Sequence, residues 1–569
     1  MYQEYQDISL VFCGAAGQGV QTITSALLVV LKKYGYNVFS CTEYMSRIRG
    51  GSNTTEIRIT EKKRDAYVQR IDMLFALSHN VVAHLNHRLS SKTLIFAEKE
   101  QFGDQWGDNC IDTPLTKSAV EAGSAGFSNI VAAGVVLGMF GIPLELFTAY
   151  LREKFAAKGE VVVAKNCIAA KLGYSFGRDT AATAHISLDI SIPAGRPERL
   201  LMDGSTALGI GAVAAGCNFI SSYPMSPGTG LLTFLAMKTK EYGIVVDQAE
   251  DEIAAINAGL GASYAGARAI VTTSGGGFDL MQEGVSLAGM IETPIVIHIG
   301  QRPGPAIGLP TRTEQGDLNL ALHAGHGDFA RAIFSPGTLA EIIDTTQQAF
   351  NLAQRYQIPV FILTDQYLLD SVSTIEPASV KRLPIETFHI KTTEPYQRYA
   401  FTDDGLSPRG VPGYGDGFVR VDSDEHDENG LITESFDLRR RMVEKRLKRM
   451  YSLRESACLP TLIGNVDQAE TLVISWGSNR SVLEEALDVV GNRKFAGIHF
   501  SQVFPLNPVI NSLFENKRLM VMENNATGQF ADLLALEIGR TISHRILKAT
   551  GEPFTVEEVI GALNEPDHA

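Results

Sequence analysis

Cysteine is scarce in this sequence and is never clustered. The 569 residues include six cysteines, and no two of them lie within three positions of each other: Cys13, Cys41, Cys110, Cys167, Cys217 and Cys458. This spacing supports neither a disulfide framework nor a four-thiolate iron–sulfur or zinc site. We therefore predict no metal ligands on this chain, and we expect any redox metal centre to belong to another polypeptide.

Basic residues and long apolar runs are also in short supply. Fifty Lys and Arg stand against 64 Asp and Glu, a net charge of −14, which would repel the phosphate backbone of a nucleic acid. The strongly apolar stretch 130–144 is interrupted by glycines and a proline and is shorter than the ~20 residues of a membrane span, so it predicts a buried helix. The N-terminus lacks the basic start and apolar run of a secretory signal. We expect a cytoplasmic protein without a membrane span.

What the sequence does have is a recurring alternation of strand, turn and helix. Hydrophobic residues make up 45% of the chain and charged residues 20%, as in ordinary globular proteins. The length suggests about three or four domains. Strand patterns recur at 8–13, 38–41, 55–59, 73–77, 93–97, 219–223, 269–273, 295–299, 360–364, 472–475, 497–500 and 518–522. We predict an α/β fold with three parallel-sheet units.

Changes in composition separate these units. Residues 180–197 are rich in Ala, Ser, Thr and Pro without helical periodicity, and residues 393–436 are rich in Asp, Glu, Gly and Pro. The predicted division is a domain at 1–182, a linker at 183–198, a domain at 199–385, a connecting arm with a basic helix at 386–458, and a domain at 459–569.

Two glycine-rich loops near the N-terminus have residue types suited to a ligand. The first, Gly-Ala-Ala-Gly-Gln-Gly at 14–19, has Ala16 where the dinucleotide fingerprint requires its second glycine. Its backbone N–H groups could still hold a phosphate at the start of the following helix, and tight-turn packing is the alternative. The second, Arg-Ile-Arg-Gly-Gly at 47–51, suits an anion or a docking partner, and a solvated turn is the alternative.

The segment 221–317 is the richest in chemistry. The loop Tyr-Pro-Met-Ser-Pro at 223–227 directly follows a predicted strand, and its two prolines make a rigid support for a hydroxyl and a ligand ring. Three acids at 250–252 precede a helix of mostly small residues at 253–266. Carboxylates at a helix start are usually caps or dipole partners. Three in a row beside so apolar a helix favour one that is buried and functional.

Several of these segments resemble one enzyme family. The spacing of Glu252, Ala254, Ala255 and Gly261 resembles the pyrimidine-binding domain of thiamine diphosphate enzymes. More specifically, the chain resembles the α subunit of 2-oxoacid:ferredoxin oxidoreductases at 223–227, 248–252, 273–278, 280–283, 301–311, 425–430, 445–448 and 523–529. The first domain is similar to the γ subunit of that family, fused at the N-terminus, so the resemblance covers almost the whole chain. One departure is Met-Ser-Pro at 225–227 where the family loop usually reads Ile-Thr-Pro; serine keeps the hydroxyl.

The resemblance implies both a fold and a reaction. The three units would be a γ-type domain, a pyrimidine-binding domain and a transketolase C-terminal-like domain. The reaction would be oxidative decarboxylation of a 2-oxoacid with coenzyme A to acyl-CoA, CO2 and reduced ferredoxin. 2-Oxoglutarate is favoured because fusion of γ to α with a separate β subunit resembles that subgroup. Pyruvate, branched-chain or aryl 2-oxoacids are the alternatives, as is a non-catalytic assembly subunit.

The resemblance also assigns site residues. Glu252 would be the carboxylic acid that protonates N1′ of thiamine diphosphate, with Glu250 as the rival. Arg302 follows the strand 295–299 at the edge where α/β proteins bind ligands, and a guanidinium fork suits a 2-oxoacid carboxylate. Further expected contacts are Thr311 and Ser226 for the substrate, Arg312 for a distal carboxylate, and Tyr223, Pro224, Ser226, Gly275 and Gly276 for the cofactor.

A partner subunit is implied by what the chain lacks. The one Gly-Asp-Gly segment, 415–417, has Asn429 too close behind it to form the usual diphosphate and Mg²⁺ motif, and we interpret it as a turn. The resemblance implies a β subunit that supplies the diphosphate site, Mg²⁺ and a [4Fe-4S] cluster, in an (αβ)2 assembly that shares thiamine diphosphate between subunits. Ferredoxin and coenzyme A are the other expected partners.

Overall fold

The computed structural model describes residues 3–15, 19–44, 52–102, 106–188, 190–192 and 198–565. The chain divides into two compact units. The first contains the described residues up to 202 together with 371–377 and 555–557, and the second contains 203–370, 378–554 and 558–565. The predicted α/β fold class is confirmed.

The first unit is built on an eight-stranded mixed sheet. Its strands are β2 (Asp7–Ala15), β3 (Asn37–Glu43), β4 (Ser52–Thr60), β5 (Met73–Ala76), β6 (Leu94–Ala97), β7 (Cys110–Asp112), β9 (Leu200–Asp203) and β16 (Val372–Ile375), in the order β7-β6-β5-β2-β4-β3-β16-β9. The β7-β6-β5-β2 part is parallel, whereas β4 runs antiparallel to β2 and β3. Only eight residues, 44–51, join β3 to β4, too few for the helical crossover that a parallel pair needs. A two-stranded parallel sheet joins β1 (Gln3–Tyr5) to β8 (Ile186–Leu188).

Seven α-helices pack in the described part of the first unit. They are α1 (Val20–Tyr34), α2 (Val81–Leu85), α3 (Lys99–Phe102), α4 (Leu115–Glu121), α5 (Ser128–Met139), α6 (Leu144–Phe155) and α7 (Glu160–Ala184). The predicted helical pattern at 128–155 is two helices, because Gly141 adopts a left-handed φ of 63° and Pro143 caps α6. Ten of the twelve residues of α5 are buried, as expected for the apolar stretch. A Cβ at Gly177 of α7 would lie 2.0 Å from the Val135 carbonyl of α5, so these two helices require glycine at their closest approach.

Of the two glycine-rich loops near the N-terminus, the structure describes part of the first, 14–19. Gly19 has a φ of 77° and precedes α1, and a Cβ there would lie 2.6 Å from the Asn129 amide nitrogen. Residues 16–18 and the whole of 47–51 lie outside the described residues. Whether either loop binds a ligand therefore stays a prediction. The predicted linker begins inside α7, which ends at Ala184.

The described part of the second unit contains two large parallel-rich sheets and one two-stranded parallel sheet, His389–Thr392 with Arg409–Gly415. The larger consists of β10 (Phe219–Ser222), β11 (Val245–Gln248), β12 (Ala269–Thr273), β13 (Ile295–Gln301), β14 (Ala332–Phe334), β15 (Pro359–Asp365) and β22 (Gln502–Phe504), in the order β11-β10-β12-β13-β15-β14-β22. The smaller consists of β19 (Thr461–Ile463), β20 (Thr471–Trp476), β21 (Phe495–Phe500), β23 (Arg518–Glu523) and β24 (His544–Leu547), in the order β19-β21-β20-β23-β24. The antiparallel pairs are β14–β22 and β19–β21. The strands predicted at 269–273, 295–299 and 360–364 are confirmed.

Helices cover both large sheets of the second unit. They are α8 (Gly204–Ala214), α9 (Thr229–Tyr242), α10 (Glu252–Tyr264), α11 (Gly275–Asp279), α12 (Gln282–Met290), α13 (Leu318–Leu322), α14 (Leu339–Tyr356), α15 (Gln366–Asp370), α16 (Phe436–Glu455), α17 (Arg480–Val490), α18 (Ile510–Leu513), α19 (Gln529–Ile538) and α20 (Val556–Leu563), which starts in the first unit. One hydrophobic cluster runs from Ala255 through Phe361 to Ile542. The predicted boundaries at 385 and 458 therefore fall inside a unit with one shared core, and they stay a prediction.

The connecting arm is held by buried charge. It carries the strands β17 (His389–Thr392) and β18 (Arg409–Gly415) and then the predicted basic helix, α16. The Lys445 ammonium lies 2.8 Å from the Glu292 carboxylate, and Arg449 contacts the same group. Burial alone would raise the pKa of Glu292, but these cations outweigh it and hold the pKa well below its usual range. Within the described ranges we find no helix with the length and apolar character needed to cross a bilayer.

Candidate active site

Three neighbouring strands bring the predicted site residues to one edge. Strands β10, β12 and β13 are adjacent and parallel, so their carboxyl ends lie side by side. Loop 223–228 follows β10, the turn Ser274–Gly277 follows β12, and Arg302 follows β13. Residues almost 80 positions apart in the chain therefore meet here.

The loop 223–228 is fixed onto β12. The Ser222 hydroxyl donates to the Thr272 carbonyl at 2.7 Å, and the Thr272 hydroxyl donates to the Gly228 carbonyl at 3.2 Å. A Cβ at Gly228 would lie 2.9 Å from the Thr272 hydroxyl, which explains the glycine. Tyr223 is 40% exposed and Ser226 is exposed, so this loop turns polar groups toward the open side of the sheet edge.

A buried histidine completes that anchor. His298 of β13 lies with Nδ1 2.7 Å from the Thr272 hydroxyl and Nε2 2.8 Å from the Thr364 hydroxyl. Burial lowers the pKa of His298 to about 3, so the ring is neutral. Because the Thr272 hydroxyl donates to Gly228, Nδ1 carries the proton and Nε2 accepts from Thr364. Sequence reasoning missed His298, since a lone histidine in an apolar strand gives no signal.

Glu252 is the buried acid of the three at the start of α10. Asp251 caps the helix by accepting a hydrogen bond from Ala254 N at 2.7 Å, and Glu250 is exposed. Glu252 is 3% exposed, and its Oε1 has no hydrogen-bond partner among the described residues. Burial raises the pKa of Glu252, and the Asp251 charge adds to the effect. This carboxyl can therefore exchange a proton with a bound group.

The three glycines at the start of α11, residues 275–277, separate Glu252 from a second acid. A Cβ at Gly277 would lie 2.4 Å from Glu252 Oε1, and a Cβ at Gly275 would lie 2.2 Å from Asp317 Oδ1. The intervening Gly276 is exposed. Side chains at 275 or 277 would displace one of the two carboxyl groups, so the glycines are needed for close approach.

Asp317 is a residue that sequence reasoning did not single out. Its Oδ2 is buried without a hydrogen-bond partner among the described residues. Burial first, and then the Glu314 charge, raise the pKa of Asp317 to about 7 against the opposing effect of Arg302. The consecutive glycines at 275–277 were the available signal, because a bare backbone implies side chains packed against it.

Arg302 joins β13 to the loop after β10. Its Nη1 donates to the Ser226 carbonyl at 2.7 Å, which is its one hydrogen bond within the described ranges. The side chain is half-buried; burial lowers the pKa of its guanidinium, and the Asp317 charge opposes that change. A guanidinium has five N–H donors, so this arrangement leaves donors for an anion.

The loop after Arg302 folds back on itself. Leu309 N donates to the Pro303 carbonyl at 3.1 Å, and Gly308 has a φ of 53° with no room for a Cβ beside that carbonyl. Thr311 and Arg312 are half-buried at the end of this loop. A Cβ at Gly551 would lie 3.2 Å from the Arg312 Cβ. The structure thus brings Glu252, Ser226, Arg302 and the glycines at 275–277 to the sheet edge. Thr311 and Arg312 lie at the far end of the loop, where Arg312 is beside Gly551.

Metal-binding groups are not part of this arrangement. Across the portions of the chain that the structure describes, no set of three or more His, Cys, Asp and Glu is placed to hold a metal ion. All six cysteines are free thiols.

Known proteins are similar to this chain in sequence and in fold. The family model for the thiamine diphosphate-binding part of pyruvate flavodoxin/ferredoxin oxidoreductase matches residues 210–445, and the pyruvate ferredoxin/flavodoxin oxidoreductase model matches 9–176. The 2-oxoacid:ferredoxin oxidoreductase subunit alpha of Saccharolobus solfataricus is 29% identical over 97% of this chain and 96% of its own length. The 2-oxoglutarate synthase subunit KorA of Methanothermobacter marburgensis is 30% identical, over 64% of this chain and 98% of its own length.

A solved structure matches the whole chain. It is 2-oxoglutarate:ferredoxin oxidoreductase from Magnetococcus marinus with 2-oxoglutarate, coenzyme A and succinyl-CoA bound. The TM-score is 0.91 at 28% sequence identity, and the match covers 99% of both chains.

The raised pKa of Asp317 predicts a pH-dependent cost to stability. The folded carboxyl titrates about 3 pH units above an unfolded one. The free-energy cost of ionising Asp317 in the folded protein is therefore absent below about pH 4, grows toward pH 7 and is complete above it. Asp317→Asn should therefore raise the free energy of unfolding at pH 8 by on the order of 1–4 kcal/mol and have much less effect at pH 5. Thermal melts at both pH values measure it, with the exposed Asp403→Asn as control. A gain of equal size at both pH values would contradict the prediction.

Proposed function

This chain belongs to the 2-oxoacid:ferredoxin oxidoreductase α-subunit family, and we propose that it acts with a separate β subunit on 2-oxoglutarate. The reaction is oxidative decarboxylation with coenzyme A to succinyl-CoA and CO2, with the electrons passed to ferredoxin. The observation that carries this proposal is the Glu252 carboxyl, which is buried, has a raised pKa and keeps one oxygen without a partner among the described residues.

The residues around Glu252 fit the pyrimidine end of thiamine diphosphate. The unpartnered Oε1 and the space left by Gly277 are what a ring nitrogen facing this carboxyl would need. When bound, the cofactor supplies a carbon nucleophile and stabilises the negative charge left by decarboxylation. Glu252 would hold a proton at Oε1 for the ring nitrogen N1′, and its raised pKa favours the protonated form that this role requires.

Loop 223–228 and the glycine turn would form the rest of the cofactor cradle. Tyr223, Pro224 and Ser226 lie on the loop that the Thr272 hydroxyl anchors. Gly275 and Gly276 allow a ligand to approach the backbone beside Glu252. The contact of each of these residues with the cofactor stays a proposal.

Arg302 is suited to the substrate carboxylate. The Ser226 bond holds the guanidinium at the carboxyl edge of β13 and uses one donor, while the remaining donors can form a bidentate pair with a carboxylate. Partial burial strengthens such a pair because water competes less for it. Thr311 is the proposed second contact.

The choice of 2-oxoglutarate rests on the relatives. The Methanothermobacter marburgensis relative is named a 2-oxoglutarate synthase subunit, and the Magnetococcus marinus enzyme was solved with 2-oxoglutarate, coenzyme A and succinyl-CoA bound. A dicarboxylic substrate needs a second cation, and Arg312 on the same loop as Arg302 is the proposed one.

The β subunit would supply what this chain does not. Gly415 ends β18, and the Gly417 N–H donates to the Thr392 hydroxyl at 3.1 Å. These contacts support a structural turn at 415–417 in place of a diphosphate motif. We propose that diphosphate, Mg²⁺ and a [4Fe-4S] cluster bind on the β subunit, in an (αβ)2 complex located in the cytoplasm. Relatives named as alpha subunits support a partner of this kind.

Replacing Glu252 should separate catalysis from cofactor binding. Glu252→Gln keeps the shape of the side chain but loses the acidic proton, so we expect activity to fall by roughly 10²–10⁴-fold while assembly and thiamine diphosphate binding persist. The measurements are 2-oxoacid-dependent reduction of ferredoxin and hydrogen–deuterium exchange at C2 of the bound cofactor. The exposed Glu250→Gln is the matched control. Equal losses in both variants, or a loss confined to Glu250→Gln, would move the assignment two residues upstream.

A charge-preserving change at Arg302 should be damaging. Lysine cannot reproduce a planar bidentate grip, so Arg302→Lys should lose about 1.5–3 kcal/mol of transition-state stabilisation, seen in kcat and KM together. Arg355→Lys, at an exposed position of α14, controls for the substitution itself. Steady-state kinetics with 2-oxoglutarate decide the matter, and an unchanged kcat/KM would make Arg302 a solvated loop residue.

Arg312 should discriminate between substrates. If its guanidinium holds the distal carboxylate, Arg312→Ala should lower kcat/KM for 2-oxoglutarate by about tenfold or more and leave that for pyruvate nearly unchanged. Parallel kinetics with both acids measure the ratio. An equal loss for the two acids would assign Arg312 to loop structure.

A further inference from the structure

Segment 313–319, which follows the loop 302–312, is hydrogen-bonded along its length to residues that follow strands β23 and β24 of the smaller sheet. Thr313 N donates to the Gly551 carbonyl at 3.1 Å and Gln315 N to the Asn524 carbonyl at 2.7 Å. Gln529 continues the pattern: its Nε2 donates to the Gly316 carbonyl at 2.8 Å, and its Oε1 accepts from Asn319 N at 2.9 Å. Segment 313–319 therefore has little freedom to move.

The side chain of Gln315 lies at the centre of these contacts. It is fully buried. Its Oε1 accepts from Asn479 Nδ2 at 2.8 Å and from Asn524 N at 2.9 Å, and its Nε2 donates to the Trp476 carbonyl at 2.8 Å. Asn525 Nδ2 donates to the Gln315 carbonyl at 3.1 Å. We call Gln315, Asn525 and Gln529 the clamp.

The turn that presents the clamp is itself rigid. The buried Glu523 carboxylate accepts from Phe530 N and Ala531 N, each at 2.9 Å, and from Asn525 Nδ2 at 2.9 Å. Charge-assisted bonds of this kind are about twice as strong as neutral ones. The segment 523–529, distinctive in sequence but without an assigned role, thus holds Asn525 and Gln529 toward segment 313–319.

The other side of segment 313–319 faces the active site. Asp317 N donates at 3.0 Å to Gln301 Oε1, next to Arg302, and the Asp317 carboxyl packs against Gly275. Residues 304–309 between the two ends of the loop are exposed. Because the middle of the loop is exposed, its more buried ends determine where Thr311 lies relative to Arg302.

We propose that Gln315, Asn525 and Gln529 are positioning residues of the 2-oxoacid site. They contact neither substrate nor cofactor. By fixing segment 313–319 they set the spacing between Arg302, Thr311 and the Asp317 carboxyl. The inference rests on the proposed role of Arg302 as substrate anchor. A shift of about 1 Å in such a site can cost up to 10²-fold in rate.

The test compares two buried glutamines in the complete complex with its β subunit. Gln315→Met removes the three hydrogen bonds of the Gln315 side chain at similar volume and leaves those of Asn525 and Gln529 in place. Gln347→Met is the matched control, because Gln347 is also buried and bonds the Lys381 carbonyl and Leu383 N, away from the site. Both variants should lower the melting temperature to a similar extent. Only Gln315→Met should raise KM for 2-oxoglutarate, by about tenfold with a smaller change in kcat.

A second readout does not depend on catalysis. Amide hydrogen exchange in residues 302–313 should be faster in Gln315→Met and unchanged in Gln347→Met. Gln529→Met, at a half-buried position, should give the same pattern more weakly and serves if Gln315→Met does not fold. Equal changes in KM and in amide exchange in Gln315→Met and Gln347→Met would overturn the clamp. Unchanged exchange in both Gln315→Met and Gln529→Met would also overturn it. Faster exchange in Gln315→Met together with an unchanged kcat/KM in Arg302→Lys would instead contradict the proposed function.

Discussion

A carboxyl group kept out of water at the start of α10 is the constraint on which the rest of the site depends. Glu252 can hold a raised pKa only if neighbouring atoms exclude solvent without binding its Oε1. That requirement accounts for Asp251 as the helix cap, which relieves Glu252 of the capping role. It also accounts for Gly277, where any side chain would occupy the space in front of the carboxyl.

The electrostatics of the sheet edge follow from the same exclusion of water. Burial raises the pKa of Asp317 as well as that of Glu252, and it lowers the pKa of Arg302. A raised pKa lowers the charged fraction of each carboxyl group at a given pH, so less negative charge opposes that of Arg302. A sheet edge on a chain with a net charge of −14 can therefore still attract a small anionic substrate.

Polar networks give the edge its definite geometry. His298 links Thr272 to Thr364 beneath loop 223–228, and Gln315 links the loop 302–312 to the smaller sheet. Fully satisfied buried networks add little net stability but select one arrangement, because any alternative leaves a buried donor or acceptor unpaired. The two loops that carry Ser226 and Arg302 are each fixed by one such network.

Local pattern was enough to determine the α/β class, the strands at 269–273 and 295–299, the buried apolar stretch within α5 and, through ordered motifs, the family. The choice of Glu252 over Glu250 came from the family spacing of Glu252, Ala254, Ala255 and Gly261, since three acids in a row beside a small-residue helix do not by themselves identify the buried one. Only the tertiary structure decided the roles of Asp317, His298 and Gln315. The partners of Gln315 lie 161 to 210 residues away in the chain, and periodicity over a few residues carries no information about which distant backbone groups a side chain will meet.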